Sequence, residues 1–278
     1  MPGNGGARAA AVAACALVGV LVLAGCSGGG GRDEGGDAPI AHVAVRTTDD
    51  AGPYGGMTPR QELAKAEEAM RQVSAMTVDM DQQQGGRRVH LTAAITAGGG
   101  CALAEQAAGD SVQVIGTRDN TYLKADDAFW RAHGGPDGSR VAAALDGKWL
   151  RLDQRPSATE FAGYCSVAGF MSATSSNLGQ GAVVRGRPAT LDGKAVLTLV
   201  HTTPGHRATV RVAATGTPYI LRSDISGAGG SAGTGSAATD AATESVTFSG
   251  FGRPPRISPP PPGATVALAA LGVSHLSV

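Results

Sequence analysis

The chain has 278 residues with 23 basic and 23 acidic side chains, so its formal net charge is zero, and 42% of its residues are hydrophobic. Ala supplies 49 of these while Leu, Ile, Val and Phe together number 52, so core-building material is thin, and 42 Gly and 15 Pro make much of the chain loop. Neutrality, the lack of a basic block and only 4% aromatics leave no electrostatic footprint and few stacking platforms for DNA or RNA, and about 220 residues remain for a single domain once the ends are set aside.

Arg8 is the only charge before an apolar run from Ala9 to Ala24, the length of a signal-peptide core and short for a spanning helix. The run ends Leu23-Ala24-Gly25-Cys26, which resembles the lipobox of bacterial lipoproteins, where a Cys takes a diacylglyceryl thioether and becomes the first mature residue. Residues 1–25 are therefore expected to be a lipoprotein signal peptide and Cys26 the lipidated residue, with enough acyl chain for stable anchoring. Residues 26–57, rich in Gly and Asp, are expected to be a flexible tether, and residues 58–278 a folded domain.

Thr58-Pro59-Arg60-Gln61 supplies an N-cap, a Pro at the first helical position and a capping-box partner, so a helix begins there with Leu63, Ala66, Met70 and Val73 as its buried stripe. From Met76 the period changes to two. Val78 and Met80 alternate with Asp79 and Asp81, and Val89, Leu91, Ala93 and Ile95 follow a turn, which predicts a β-hairpin. A second hairpin is expected around residues 117–120, and Asp126 should cap a short helix through Phe129 and Trp130. Another helical stretch, 136–146, precedes a strand at 148–152, and Ser157-Ala158-Thr159-Glu160 reads as a capping box opening a helix with Phe161, Cys165 and Ala168 on one face.

The remainder reads as antiparallel strands, 189–202 with a turn at Asp192-Gly193, 207–213, 219–226 and 244–250. His201 and His206, close together in HTTPGH, read as a hairpin turn with two solvated imidazoles. Residues 227–243 form a low-complexity insertion, the RPPRISPPPPG stretch suits polyproline II, and 265–273 is a last apolar segment. Long strands with a few helices in two clusters predict an α+β fold.

Of four cysteines, Cys15 leaves with the signal peptide and Cys26 is acylated, so Cys101 and Cys165 remain as an even pair in an oxidising compartment. A disulfide between them is expected. Neither has a CxxC partner and the six His are scattered, so no metal and no cofactor are expected.

The succession TYLKADDAFWRAHGG, LDGKWLRL, EFAGYCSVAGF, TLDGKAVLTL, ATGTPYILR and ESVTFSGFGRP resembles actinobacterial lipoproteins of the LolA-like class, related to the mycobacterial LppX/LprG group, over most of residues 58–272. The resemblance implies a curved antiparallel β-sheet, a half-barrel, whose concave face is covered by helices around an apolar cavity for lipid chains.

Strict alternation places Val78, Met80, Leu91, Ile95, Val112 and Val114 on one sheet face, with Phe129, Phe161 and Phe170 available to cover it. Val78, Met80, Leu91, Ile95, Val112, Val114 and Phe161 are thus the candidate ligand-binding residues, although any half-buried sheet needs such a face as ordinary core. Trp130 and Trp149 either rim an opening or pack inside. Gly229-Gly230-Ser231-Ala232-Gly233 matches GxSxG, but it sits in low-complexity sequence without the strand and helix of a nucleophile elbow. No catalytic residues are assigned and no enzyme is expected. Two readings stand: a lipoprotein anchored on the outer face of the cytoplasmic membrane that binds or carries a lipid or glycolipid, and a cell-envelope interaction or sensory module with a filled core.

Overall fold

Thr58 begins the regular structure as the sequence predicts. Its side chain accepts from the Gln61 backbone N–H while the Gln61 side chain accepts from the Thr58 N–H, and helix α1 (Pro59–Arg71) follows with Leu63, Ala66 and Met70 buried. The computed structural model describes residues 54–84, 86–107, 109–153, 163–175, 181–228 and 241–272.

From α1 the chain enters a meander of β1 (Ala75–Gln84), β2 (Arg87–Thr96), β3 (Cys101–Ala107), β4 (Asp110–Gly116) and β5 (Thr121–Ala125). Helices α2 (Asp127–His133) and α3 (Gly138–Leu145) come next, then β6 (Trp149–Leu152), which pairs with β5. After α4 (Val167–Ser175) a second meander runs through β7 (Ala182–Arg185), β8 (Ala189–Leu191), β9 (Lys194–Thr203), β10 (His206–Ala213), β11 (Ile220–Ala228) and β12 (Ala241–Ser249). Asp192 and Gly193 both take positive φ, 50° and 75°, in the β8–β9 turn, the conformation a two-residue hairpin demands. Residues 253–261 carry no helix or strand, and β13 (Thr265–Ala267) closes the order.

All thirteen strands belong to one open sheet, ordered β13-β6-β5-β4-β3-β2-β1-β12-β11-β10-β9-β7 with β8 alongside β9. Pairing is antiparallel except between β13 and β6, where the expected antiparallel pattern gives way because the returning chain runs in the same direction as β6. The fold is α+β, as the pattern of strands and helices predicts, and is a large curved sheet with its helices gathered on one face, as the family resemblance implies.

Burial follows the period of two. Register aligns Val78, Ala93, Leu103, Val114, Leu123 and Leu150 across six strands, and all six are buried. The helices lie on this inner face, Leu63, Ala66 and Met70 from α1, Val167, Phe170 and Met171 from α4 and Trp130, Val141 and Leu145 from α2 and α3 joining the strands in one cluster.

Three local expectations change. Cys165 does not sit on a helix but just ahead of α4, which Ser166 opens by accepting the Gly169 N–H at 3.0 Å. His201 is 4% exposed, because β9 runs on to Thr203 and its parity places His201 on the inner face with Leu199. Strands β3 and β7 were not foreseen. The capping box at Ser157, Phe161 and the GxSxG match all lie outside the described residues. Tyr54, within the stretch expected as tether, packs into the core and donates to the Ala213 carbonyl at 2.6 Å.

Candidate functional site

The inner face is built from cross-strand rows that differ in how well they are covered. Val78 and Ile95 are 0% exposed, Val114 2% and Leu91 5%, so four of the seven sequence-assigned residues are closed over by the helices. One register step toward the hairpin tips, the row runs Ala125, Val112, Glu105, Leu91, Met80, Val246, Ser223, Val210, Leu199 and Arg185. Here Met80 and Val112 are only half-buried and Glu105 is exposed. The next row carries Val89, Gln82, Glu244 and Ile225, all partly open. Six of the seven candidates therefore share one face, four under the roof and two, Met80 and Val112, at its margin.

Above the buried rows, Phe170 of α4 meets Phe248 of β12 edge-on with centroids 6.1 Å apart, and Trp130 of α2 donates its indole N–H to the Ala125 carbonyl at 3.2 Å. Trp130 is thus packed inside. Trp149 is half-buried on the opposite face, where it joins Ala94, Ala102, Ala104 and Ile115 in a shallow apolar trough of about 400 Å³. α4 is tied to the sheet by the Cys101–Cys165 disulfide, whose Cα atoms are 4.8 Å apart.

Ionisable groups punctuate this apolar setting. Glu62 is 1% exposed on α1, and both its carboxylate oxygens accept from Arg185 Nε, at 3.0 and 3.1 Å. Burial raises the Glu67 carboxyl above its ordinary range, with Arg71 and His201 opposing. Burial, and then the Glu62 charge, push the Tyr54 phenol up to about 12. At the uncovered margin, desolvation raises the Glu105 and Glu244 carboxyls as well.

The outer face is chemically different. A polar recess of about 530 Å³ at the strand ends is lined by Asp81, Arg88, Arg207, Thr209, Asp224 and Ser245, and also takes in Gln82, Ile225 and Glu244 of the last inner-face row. Next to it Asp79, Asp81 and His90 bring one potential ligand atom each within 4.8 Å of one another, a proximity common among exposed acidic groups that hold no ion. Arg88 already donates to Asp81 Oδ1 at 2.8 Å and, with the coulombic pull of His90, holds that carboxyl below its usual range. Among the described residues no helix is long and apolar enough to cross a membrane.

No protein-family model matches the chain, and no curated protein matches it. Among solved structures it is similar to the lipoprotein LppX of Mycobacterium tuberculosis, 14% identical over 72% of this chain and 98% of that one with a TM-score of 0.41. It is similar to LprF of Mycobacterium bovis, 12% identical over 73% and 96% with a TM-score of 0.41. A DUF1329 family protein of Desulfovibrio piger is 8% identical over 69% and 90%, with a TM-score of 0.23.

Proposed function

We propose that this protein is an exported lipoprotein, anchored through Cys26 to the outer face of the cytoplasmic membrane, that holds the apolar chains of a lipid or glycolipid against the inner face of its sheet. The observation that carries this reading is the uncovered margin of that face. Met80 and Val112 lie one register row beyond Val78 and Val114 and emerge half-exposed past the roof, in the row that also carries Leu91 and Glu105. Binding by partition of acyl chains into apolar surface needs no reacting group, no metal and no cofactor. The lipobox-like Leu23-Ala24-Gly25-Cys26 supports the anchor, and the membrane is then the first partner.

A second reading, an envelope interaction or sensory module with a filled core, is favoured by Val78, Ile95 and Val114. At 0–2% exposure their side chains offer almost no surface to a ligand. Native mass spectrometry of the full-length protein, gently extracted from membranes, separates the two. The carrier reading expects lipid masses that disappear when Val112→Trp fills the margin. Wild-type protein that is repeatedly lipid-free, and that gains no mass from added phospholipid or glycolipid, would overturn it.

A further inference from the structure

The chain leaves β12 in the interior of the sheet and has to reach β13, which lies beyond β6 at the far edge and runs parallel to it. The crossing is made by residues 253–262, RPPRISPPPP, and proline chemistry sets its shape. Each ring fixes its own φ at about −65°, and each residue ahead of a proline is held to an extended ψ, so residues 258–261 are confined to polyproline II. Pro261 stands at φ −56° and ψ 140°. The strap is held at both ends. The Arg253 N–H donates to the Gly250 carbonyl at 3.0 Å, and at the far end the Ala264 N–H and the Thr265 hydroxyl both donate to the Pro261 carbonyl at 2.9 Å.

Polyproline II turns once every three residues and so has three edges. One edge, Ile257 and Pro260, faces the protein. Pro260 is buried and Ile257 half-buried, with its Cδ1 against Gly100, the residue before β3, where any Cβ would stand 3.5 Å from it. The other two edges face water: Arg256, Pro259 and Pro262 on one, Ser258 and Pro261 on the other, all of them exposed. Crossing the sheet accounts for the prolines and for the buried edge. It does not account for a guanidinium one turn ahead of two exposed prolines, and among the described residues Arg256 has no carboxylate partner.

We propose that this strap is a docking ligand for a protein domain whose groove is lined by aromatic rings and carries a carboxylate at one end. Aromatic-lined grooves of this kind recognise PxxP segments because the polyproline II helix is already formed. A groove grips two edges of the helix and leaves the third facing away, and here the third is the edge buried against the protein's own body. Ser258-Pro259 and Pro261-Pro262 each fill one slot between rings, and Arg256, three residues before Pro259, meets the carboxylate. From Arg256 to Pro262 the ligand is roughly 19 Å long at a rise of about 3.1 Å per residue. Since the fold fastens the strap at both ends and along one edge, docking costs little conformational entropy. It is independent of what the inner face of the sheet holds.

The probe for the test is a purified SH3 domain of the class that binds Arg-x-x-Pro-x-x-Pro. It is offered to the full-length protein in detergent and to a free peptide of residues 253–263, and binding is read by biolayer interferometry. The folded protein should bind at least as tightly as the peptide, and a probe whose groove tryptophan is replaced by alanine should bind neither. Arg256→Glu should weaken binding by about tenfold or more, and so should Pro259→Ala/Pro262→Ala, with thermal unfolding unchanged because all three side chains are exposed. Ile257→Val, on the buried edge, should leave binding as it is. A peptide that binds while the folded protein does not would show that the fold hides the strap, and overturns the proposal. So does binding that ignores the Arg256 and proline substitutions, and so does a probe that binds neither peptide nor protein.

Discussion

Cys101, the first residue of β3, and Cys165, just ahead of α4, are bonded across 64 residues of chain, so the one covalent cross-link described joins the centre of the sheet to its helical cover. The loop it closes contains β4, β5, β6, α2 and α3. Cross-linking a loop of that length limits the unfolded chain and is worth about 4 kcal/mol in the chain-entropy account. Cys101→Ala/Cys165→Ala should lower stability by about that amount, measured by urea unfolding, and should raise exchange in α4 before it raises exchange in α1. Two thiols that alkylate in the freshly isolated native protein would remove the basis of this expectation.

Cys26→Ala should release the protein from the membrane. Fractionation would find the variant in the soluble exported pool, and detergent phase partitioning would place it in the aqueous phase. A variant that stays with the membrane and partitions into detergent argues against lipidation at Cys26.

Neighbouring valines on β4 should behave differently. Val114 is 2% exposed under the roof, so Val114→Trp should overpack the core and cost about 1–3 kcal/mol or more. Val112 is half-buried at the margin, and Val112→Trp should leave thermal unfolding nearly unchanged while excluding bound lipid. Equal destabilisation by both would mean that the margin is as tightly filled as the core.

Asp126 joins α2 to the sheet. Its carboxylate accepts from the Phe129 N–H at 2.8 Å as the helix cap and from the Ser111 N–H on β4 at 2.6 Å. Partial desolvation alone would raise its pKa, but these donors outweigh it and hold the carboxyl below its ordinary value. A depressed folded pKa contributes stability above the unfolded pKa and loses it as pH falls through the folded one. Asp126→Asn should therefore cost stability at neutral pH and flatten the acid limb of the unfolding curve. Asp126→Ala should cost about 1–2 kcal/mol at neutral pH, in the upper range for a lost cap. An acid limb unchanged in Asp126→Asn would show that the carboxylate is not the titrating group.

Elements with a local cause were legible in the sequence. Thr58, Pro59 and Gln61 specify a helix start among themselves, Asp192-Gly193 specifies its own turn, and Val78 and Met80 alternate with two aspartates. Strand β3 was hidden because Ala102 and Ala104 alternate with Cys101 and Leu103, so both faces read as weakly apolar and no period of two stands out. β7 has four residues, too few for a pattern. The candidate face was legible as a set of positions, but not its division into covered and uncovered rows, because that depends on where α1 and α4 end above it. Glu62 was missed for a related reason. A charge one position before Leu63 reads as the edge of the polar face, and its burial makes sense only with Arg185, which arrives from a strand 123 residues later.

The pairing of β1 with β12 gives the molecule a timetable. Ribosomes deliver chains from the N-terminus, and β1 emerges with only one of its neighbours, β2, close behind. The other neighbour is among the last strands made, and between them lie two meanders that can each zip locally. Until Ser249 has been synthesised, Thr77, Asp79 and Asp81 present an open strand edge, so the halves assemble separately and fuse late. A chain cut short just before β12 would leave two unjoined sheets, and the seam between them is where a chaperone would have most to protect.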